Sequence, residues 1–203
     1  MEKDPKIFFS EDLTHVESYS FHPYTEGTYT NHWNQYFVFD VGGKVKEHPS
    51  DFRRTTMIVN EIDLAIHIYK DILGMSVYYD KELVVSGKGL PTEIRDAKTR
   101  LVILQCNHRY VGMLGLLQYL DPPLPEAPPK RVPHQVQKGD VVLVINTDDV
   151  QQAYAKLSNI PQVVVISEPH LLEYPKPEGG MFRILGMSFF DPNGYFVELN
   201  QFL

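Results

Sequence analysis

The run DPPLPEAPPKRVP, residues 121–133, constrains this chain more than any other stretch. Proline fixes its own φ and lacks an amide proton, so neither a helix interior nor a central strand can pass through such a cluster. The run reads as a linker. On each side of it the same succession recurs: a strand, an amphipathic helix, then further strands. Two βαβββ units therefore fit the chain, an α+β fold in which architecture repeats with little residue identity between the copies.

In the first half RRTTMIVN alternates as a strand does and leads into EIDLAIHIYKDILG. There Ile62, Ala65, Ile66, Tyr69, Ile72 and Leu73 recur at helical spacing, with Asn60 placed to cap the helix and Gly74 to end it. SVYYD, TRLVILQ and VGMLGLLQYL read as the strands that follow, with SGKGLPTEIRD as an inserted loop. In the second half DVVLVINT leads into DDVQQAYAKL, whose apolar stripe is Val150, Ala153, Tyr154 and Leu157, behind Thr147 or Asp148 as cap. QVVVIS, FRILGMSFF and YFVELNQ complete it, the last two joined across Asp191-Pro-Asn-Gly, a sequence suited to a tight turn. The segments are residues 1–52, an N-terminal extension; 53–122, the first module; 123–138, the linker; and 139–203, the second module.

Composition narrows the function classes. A net charge of −7 and a pI near 5.6 argue against nucleic acid as the main partner, because backbone phosphates call for a basic surface. The one cysteine, Cys106, excludes an internal disulfide and any zinc cluster built on cysteine, and reads as a small strand residue. No stretch is apolar enough for a membrane span, and MEKDPKIFFSEDL lacks the apolar run of a secretory signal, so a cytoplasmic protein is expected. Residues 1–52 are rich in aromatic side chains, more so than a disordered tail, and are expected to pack on the body or on a second subunit. Eight histidines fall at positions 15, 22, 32, 48, 67, 108, 134 and 170, without the short spacings of a metal cluster.

VNEIDLAIHIYKDILGM and FFDPNGYFVEL, at the two ends of the duplicated region, resemble the first helix and the closing hairpin of the vicinal oxygen chelate superfamily. That group includes glyoxalases, bleomycin resistance proteins and extradiol dioxygenases. The resemblance implies two modules whose curved mixed sheets form a cup, usually around a divalent metal. It places the metal-binding positions at the start of each module's first strand and on its last strand: Arg54, Gln118, Val142 (or Val141) and Glu198. Arginine has no lone pair to give and valine no donor atom, while Gln118 offers an amide oxygen and Glu198 a carboxylate. No cofactor is expected, although a divalent metal would be possible with ligands such as His22 or His32 from the extension.

Alternation places Arg54, Thr56 and Ile58 on one strand face. The expectation is that Arg54 substitutes for the metal's charge by pairing with Glu198, with these two as catalytic residues and Gln118, Thr56, Ile58 and Val142 contacting the ligand. PKPEGG, residues 175–180, reads as an ordinary loop between strands. The first functional expectation is a glyoxalase-like lyase, isomerase or proton-transfer enzyme acting on a small oxygenated or aromatic molecule. The alternatives are a non-catalytic binder of the bleomycin-resistance type and a metalloenzyme with ligands from the extension. Exposed sheet edges also leave room for a homodimer.

Overall fold

The structure, a computed structural model, describes residues 7–9, 16–19, 52–107, 111–125, 133–176 and 179–203. Contacts divide the chain into two units, Met1–Arg53 and Arg54–Leu203. In the first unit the backbone of an antiparallel strand pair is described, β1 (Ile7–Phe9) with β2 (Val16–Tyr19). The expected strand in NQYFVFDVGG, the aromatic packing of the extension, and any ligation by His22 or His32 lie outside the described residues, as does His108.

The second unit holds the two modules. In the first, β3 (Arg54–Ile58), β4 (Ser76–Val85), β5 (Ala97–Gln105) and β6 (Met113–Asp121) form a sheet in the order β3-β6-β5-β4. In the second, β7 (Val142–Asn146), β8 (Val164–Pro175), β9 (Met181–Phe190) and β10 (Phe196–Phe202) form a sheet in the order β7-β10-β9-β8. Each first strand runs parallel to its module's last strand, and the other pairings are antiparallel. A parallel pairing needs a long crossover, and a helix supplies it in both modules: α1 (Ile62–Ile66) and α2 (Val150–Leu157).

The strands run longer than sequence patterning suggests. β8 continues through Pro169 to Pro175, where prolines alone would signal a break. It tolerates them because it is an edge strand, with one side of its backbone free of ladder bonds. Cys106 falls just beyond the end of β5 rather than within it.

One face of each sheet packs on the helices. Met57, Val102, Leu104, Leu114 and Leu116 from the first sheet join Met187, Phe189, Val197 and Leu199 from the second, with Val59 just past β3, Ala65 of α1, Tyr69 of the turns that follow it, and Ala153 and Leu157 of α2, in one buried core. After Ile66 the first helix widens into a π-helical segment, His67–Ile72, closed by Leu73 N–H donating to Ile68 O and ended at Gly74 with φ of 80°. The wider turn puts the adjacent residues Ile68 and Tyr69 both in the core.

The helix caps differ from those expected, and they follow one rule in both modules. Glu61 precedes α1 without a capping side-chain bond, and Asn60 contributes its carbonyl rather than its side chain. The first helical N–H, that of Ile62, is instead met by Gln118 Oε1 at 3.2 Å, while Gln118 Nε2 donates to Asn60 O at 2.6 Å. In the second module Gln201 Oε1 receives Val150 N–H at 3.1 Å, and Asp149, one residue past the expected caps, accepts from Gln152 N–H at 2.8 Å. A glutamine on each last strand thus satisfies an orphan donor at each helix start. Replacing Gln118 or Gln201 by Ala should destabilise the protein by about 1 kcal/mol each in urea denaturation, the usual net worth of such a bond.

A polar network ties the modules together. Tyr69 O–H donates to Asp191 Oδ2 at 3.1 Å, and Asp191 Oδ1 accepts the N–H groups of Asn193 and Tyr195, both at 2.9 Å. Tyr195 reaches back to β3, where its hydroxyl accepts Ile58 N–H at 3.0 Å, and Asn193 Oδ1 accepts Asn60 N–H at 2.8 Å. Burial raises the Asp191 carboxyl above its ordinary pKa, against the opposing pull of these donors, and burial together with Asp191 pushes the Tyr69 hydroxyl well up.

Candidate functional site on the open faces of the sheets

Because the helices cover one face of each sheet, the alternate residues define an open face. On β3 this face carries Arg54, Thr56 and Ile58, as alternation predicts, since Met57 and Val59 enter the core. Arg54 and Thr56 are exposed, and their side chains lie against Gly115 of β6: a Cβ there would stand 2.7 Å from Thr56 Oγ1 and 3.1 Å from Arg54 Cδ. Much of this face is filled by the chain itself. Ala97, Leu117 and Tyr119 cluster with Ile58, Leu101, Ile94 of the β4–β5 loop and Leu124 beyond β6. Tyr119 O–H donates to Thr92 Oγ1 at 3.4 Å, and Thr92 Oγ1–H to Ile94 O at 2.7 Å, so the inserted loop folds over its own sheet.

The corresponding face of the second module is largely covered: Phe182, Ile184, Gly186 and Phe190 are buried, and Phe196, Glu198, Asn200 and Phe202 are partly exposed. Register places Phe196, Glu198, Asn200 and Phe202 of β10 beside Phe190, Ser188, Gly186 and Ile184 of β9, all opposite in direction to the core residues Val197, Leu199, Met187 and Phe189. Phe190 and Phe196 stack tilted with centroids 5.1 Å apart, and Phe182 and Phe202 meet edge to face at 6.1 Å. His134 approaches Phe190 at 5.9 Å, and Lys176 Nζ lies 4.9 Å from the centre of Phe182. Between the two aromatic pairs lies a polar band holding Glu198, Ser188 and Asn200. Glu198 is half-buried, and Val142 is 40% exposed on the edge strand, opposite Phe196.

The expected ion pair is not formed: among the described residues no ion pair joins Arg54 to Glu198, and neither side chain has a hydrogen-bond partner. The reason lies in where the modules meet. β3 touches the start of β10 through Ile58 and Tyr195, and Arg54 stands four residues, about 13 Å of extended strand, from that contact.

Register also corrects the position equivalent to Glu198 in the first module. Glu198 pairs with Val144, and the matching residue of β3, Thr56, pairs with Gly115. Gln118 points the other way, to the start of α1, where both ends of its amide are already bonded to backbone. It corresponds to Gln201, not to Glu198.

The donor set can now be tested against the divalent metal that the fold suggests. The positions concerned hold a guanidinium, a glycine, a valine and one carboxylate, and among the described residues no group of three His, Cys, Asp or Glu could hold an ion. A single carboxylate does not make a site for Zn²⁺, Ni²⁺ or Fe²⁺, which require three or four nitrogen, sulfur or oxygen donors. These residues do not fit the group.

Two curved, unclosed four-stranded sheets built from βαβββ modules, with their open faces turned from the helices, define a class of fold, and comparison with known families assigns it. The chain belongs to the glyoxalase/bleomycin resistance protein/dioxygenase superfamily, whose family model matches residues 52–199. A glyoxalase family protein from Bacillus cereus shares the fold with a TM-score of 0.58 at 14% identity, over 75% of this chain and 94% of that one. An antibiotic-binding protein from a Streptomyces species aligns with a TM-score of 0.44 at 19% identity, over 76% of this chain and 97% of the other. The trypanothione-dependent glyoxalase I of Leishmania major gives 0.43 at 18% identity, over 75% and 86%. No curated protein matches the chain. No helix among the described residues is long and apolar enough to cross a membrane.

Proposed function

We propose that the chain binds a planar aromatic small molecule on the open face of its second module and does so without a divalent metal. The observation that carries this reading is the half-buried Glu198 carboxylate, which no cation neutralises among the described residues, two residues along β10 from the partly exposed ring of Phe196. Phe196 gives such a ligand an aromatic face to stack on, and Glu198 gives its hydroxyl or N–H a carboxylate acceptor, to which a charge-assisted bond is about twice as strong as a neutral one. Val142, exposed on the edge strand beside Phe196, is a flanking contact. Sequestration is the role that best suits a site reduced to one strong donor.

Thermal-shift titration of the full chain with 2-naphthol tests this. Stabilisation should grow with concentration toward about 2.7 kcal/mol at a hundred times the dissociation constant. Glu198→Gln should weaken binding roughly tenfold, the loss expected when a charge-assisted bond becomes a neutral one. No shift, or one unchanged in Glu198→Gln, overturns the reading.

A second reading rests on the same uncompensated carboxylate. With no guanidinium bound to it, Glu198 is free to take a proton alpha to a carbonyl, as a lyase or isomerase of this superfamily would require. Solvent deuterium incorporated into a bound ketone by the native chain, and not by Glu198→Gln, would favour the enzyme; its absence leaves the binder.

A further inference from the structure

The two modules close the same hairpin by connections of different length. In the second, Pro175 pairs with Met181 and residues 176–180, five in all, join β8 to β9. In the first, Val85 pairs with Ala97 across the same last rung, yet residues 86–96, eleven in all, join β4 to β5. Five residues suffice to make the turn, so the additional length serves the fold-over onto the sheet.

That fold-over is lightly held. Of residues 86–96 only Gly87, Thr92 and Ile94 are not exposed. Among the described residues no backbone hydrogen bond ties the loop to a strand or helix, and Tyr119 O–H to Thr92 Oγ1, at 3.4 Å, is its one side-chain bond to the sheet. Ile94 supplies the apolar contact, packing on Ala97, Leu117 and Tyr119. A segment with so few buried contacts and no ladder bonds belongs to the low-stability end of a fold. Both arms of its neck are left-handed, Gly87 with φ of 74° and Asp96 with φ of 52°. Such element-terminal residues are where a hinge absorbs its change of backbone angle.

What the loop covers adjoins the ligand surface. Ile58 borders the covered cluster, and its backbone is bonded to the hydroxyl of Tyr195, the residue before Phe196. We infer that residues 86–96 are a hinged lid whose Ile94 side chain stands in for the aliphatic part of a ligand. Open, the lid extends the surface at Phe196 past Ile58 onto Leu117 and Leu101, and the ligand class is an aromatic donor bearing an alicyclic or branched aliphatic extension. The inference rests on the aromatic-binding reading above. Only the open form takes the extension, so the apparent affinity of the native chain for such a ligand is reduced by the fraction of lids that are open.

The test titrates 2-naphthol and 4-cyclohexylphenol, by fluorescence, into the native chain and into a chain whose residues 86–96 are replaced by the five-residue sequence of 176–180. Without the lid, 4-cyclohexylphenol should bind at least tenfold more tightly than to the native chain, while 2-naphthol, which has no extension, should stay within twofold. Ile94→Ser, which keeps the chain length, should give at least a threefold gain for 4-cyclohexylphenol and still unfold cooperatively in urea. Equal affinity of 4-cyclohexylphenol for native and variant chains, with 2-naphthol bound by all, overturns the lid and leaves the aromatic site standing. Failure of both probes to bind any of the chains overturns both.

Discussion

Asp191→Ala should lower the unfolding free energy by about 3 kcal/mol in urea denaturation, because it strips partners from several buried donors at once. Asp191 is 3% exposed and serves Tyr69 of the first module together with the backbone of its own turn, so the loss falls on the contact between modules. Tyr69→Phe should cost less, about 1 kcal/mol, since Asp191 keeps its two backbone donors. A change within 0.5 kcal/mol for Asp191→Ala would show that the network does not hold the modules. The same carboxyl sets a pH dependence. Its folded pKa is raised by burial, so between the ordinary carboxylate value and the folded one the native state binds more protons than the unfolded state. Stability contributed by this group therefore falls as pH rises through that window, and the slope should vanish in Asp191→Asn.

The architecture was legible because two signals are local. Helical spacing in EIDLAIHIYKDILG and DDVQQAYAKL, and prolines clustered between 121 and 133, mark two similar halves whatever their contacts. What local pattern could not carry was register. Counting from the helix starts puts Gln118 where Glu198 stands in the other module, whereas strand pairing puts Gly115 there and turns Gln118 to the helix cap. One signal was present in the sequence: glutamine recurs at 118 and 201, three residues beyond Gly115 and Glu198 respectively, as duplicated caps would require. The Arg54–Glu198 pair was a correct reading of strand faces combined with an incorrect meeting point between modules. Ser167 and His170 were invisible as a pair because alternation assigns them to opposite faces, and the register shift between them in β8 reverses that assignment. The length of β8 was hidden by prolines that an edge strand accepts.

The absence of a fitting donor set makes the second large prediction. A site with three or four nitrogen and carboxylate ligands can hold a divalent ion with a free energy of about 10 kcal/mol or more. Here the position of Glu198 has as its counterparts Arg54, Gly115 and Val142, and a lone carboxylate among a guanidinium, a glycine and an aliphatic side chain offers an ion little beyond its own charge. Nickel and zinc should therefore bind more weakly than about 0.1 mM, orders of magnitude short of a built site.

Ligand binding by this surface should be indifferent to metal, and one titration decides it: the affinity of the full chain, purified without chelators, for 2-naphthol, measured as isolated, with excess EDTA, and with added Ni²⁺ or Zn²⁺. The account predicts one dissociation constant, constant within twofold, under all of these conditions. Binding that disappears with EDTA and returns with stoichiometric metal would contradict it.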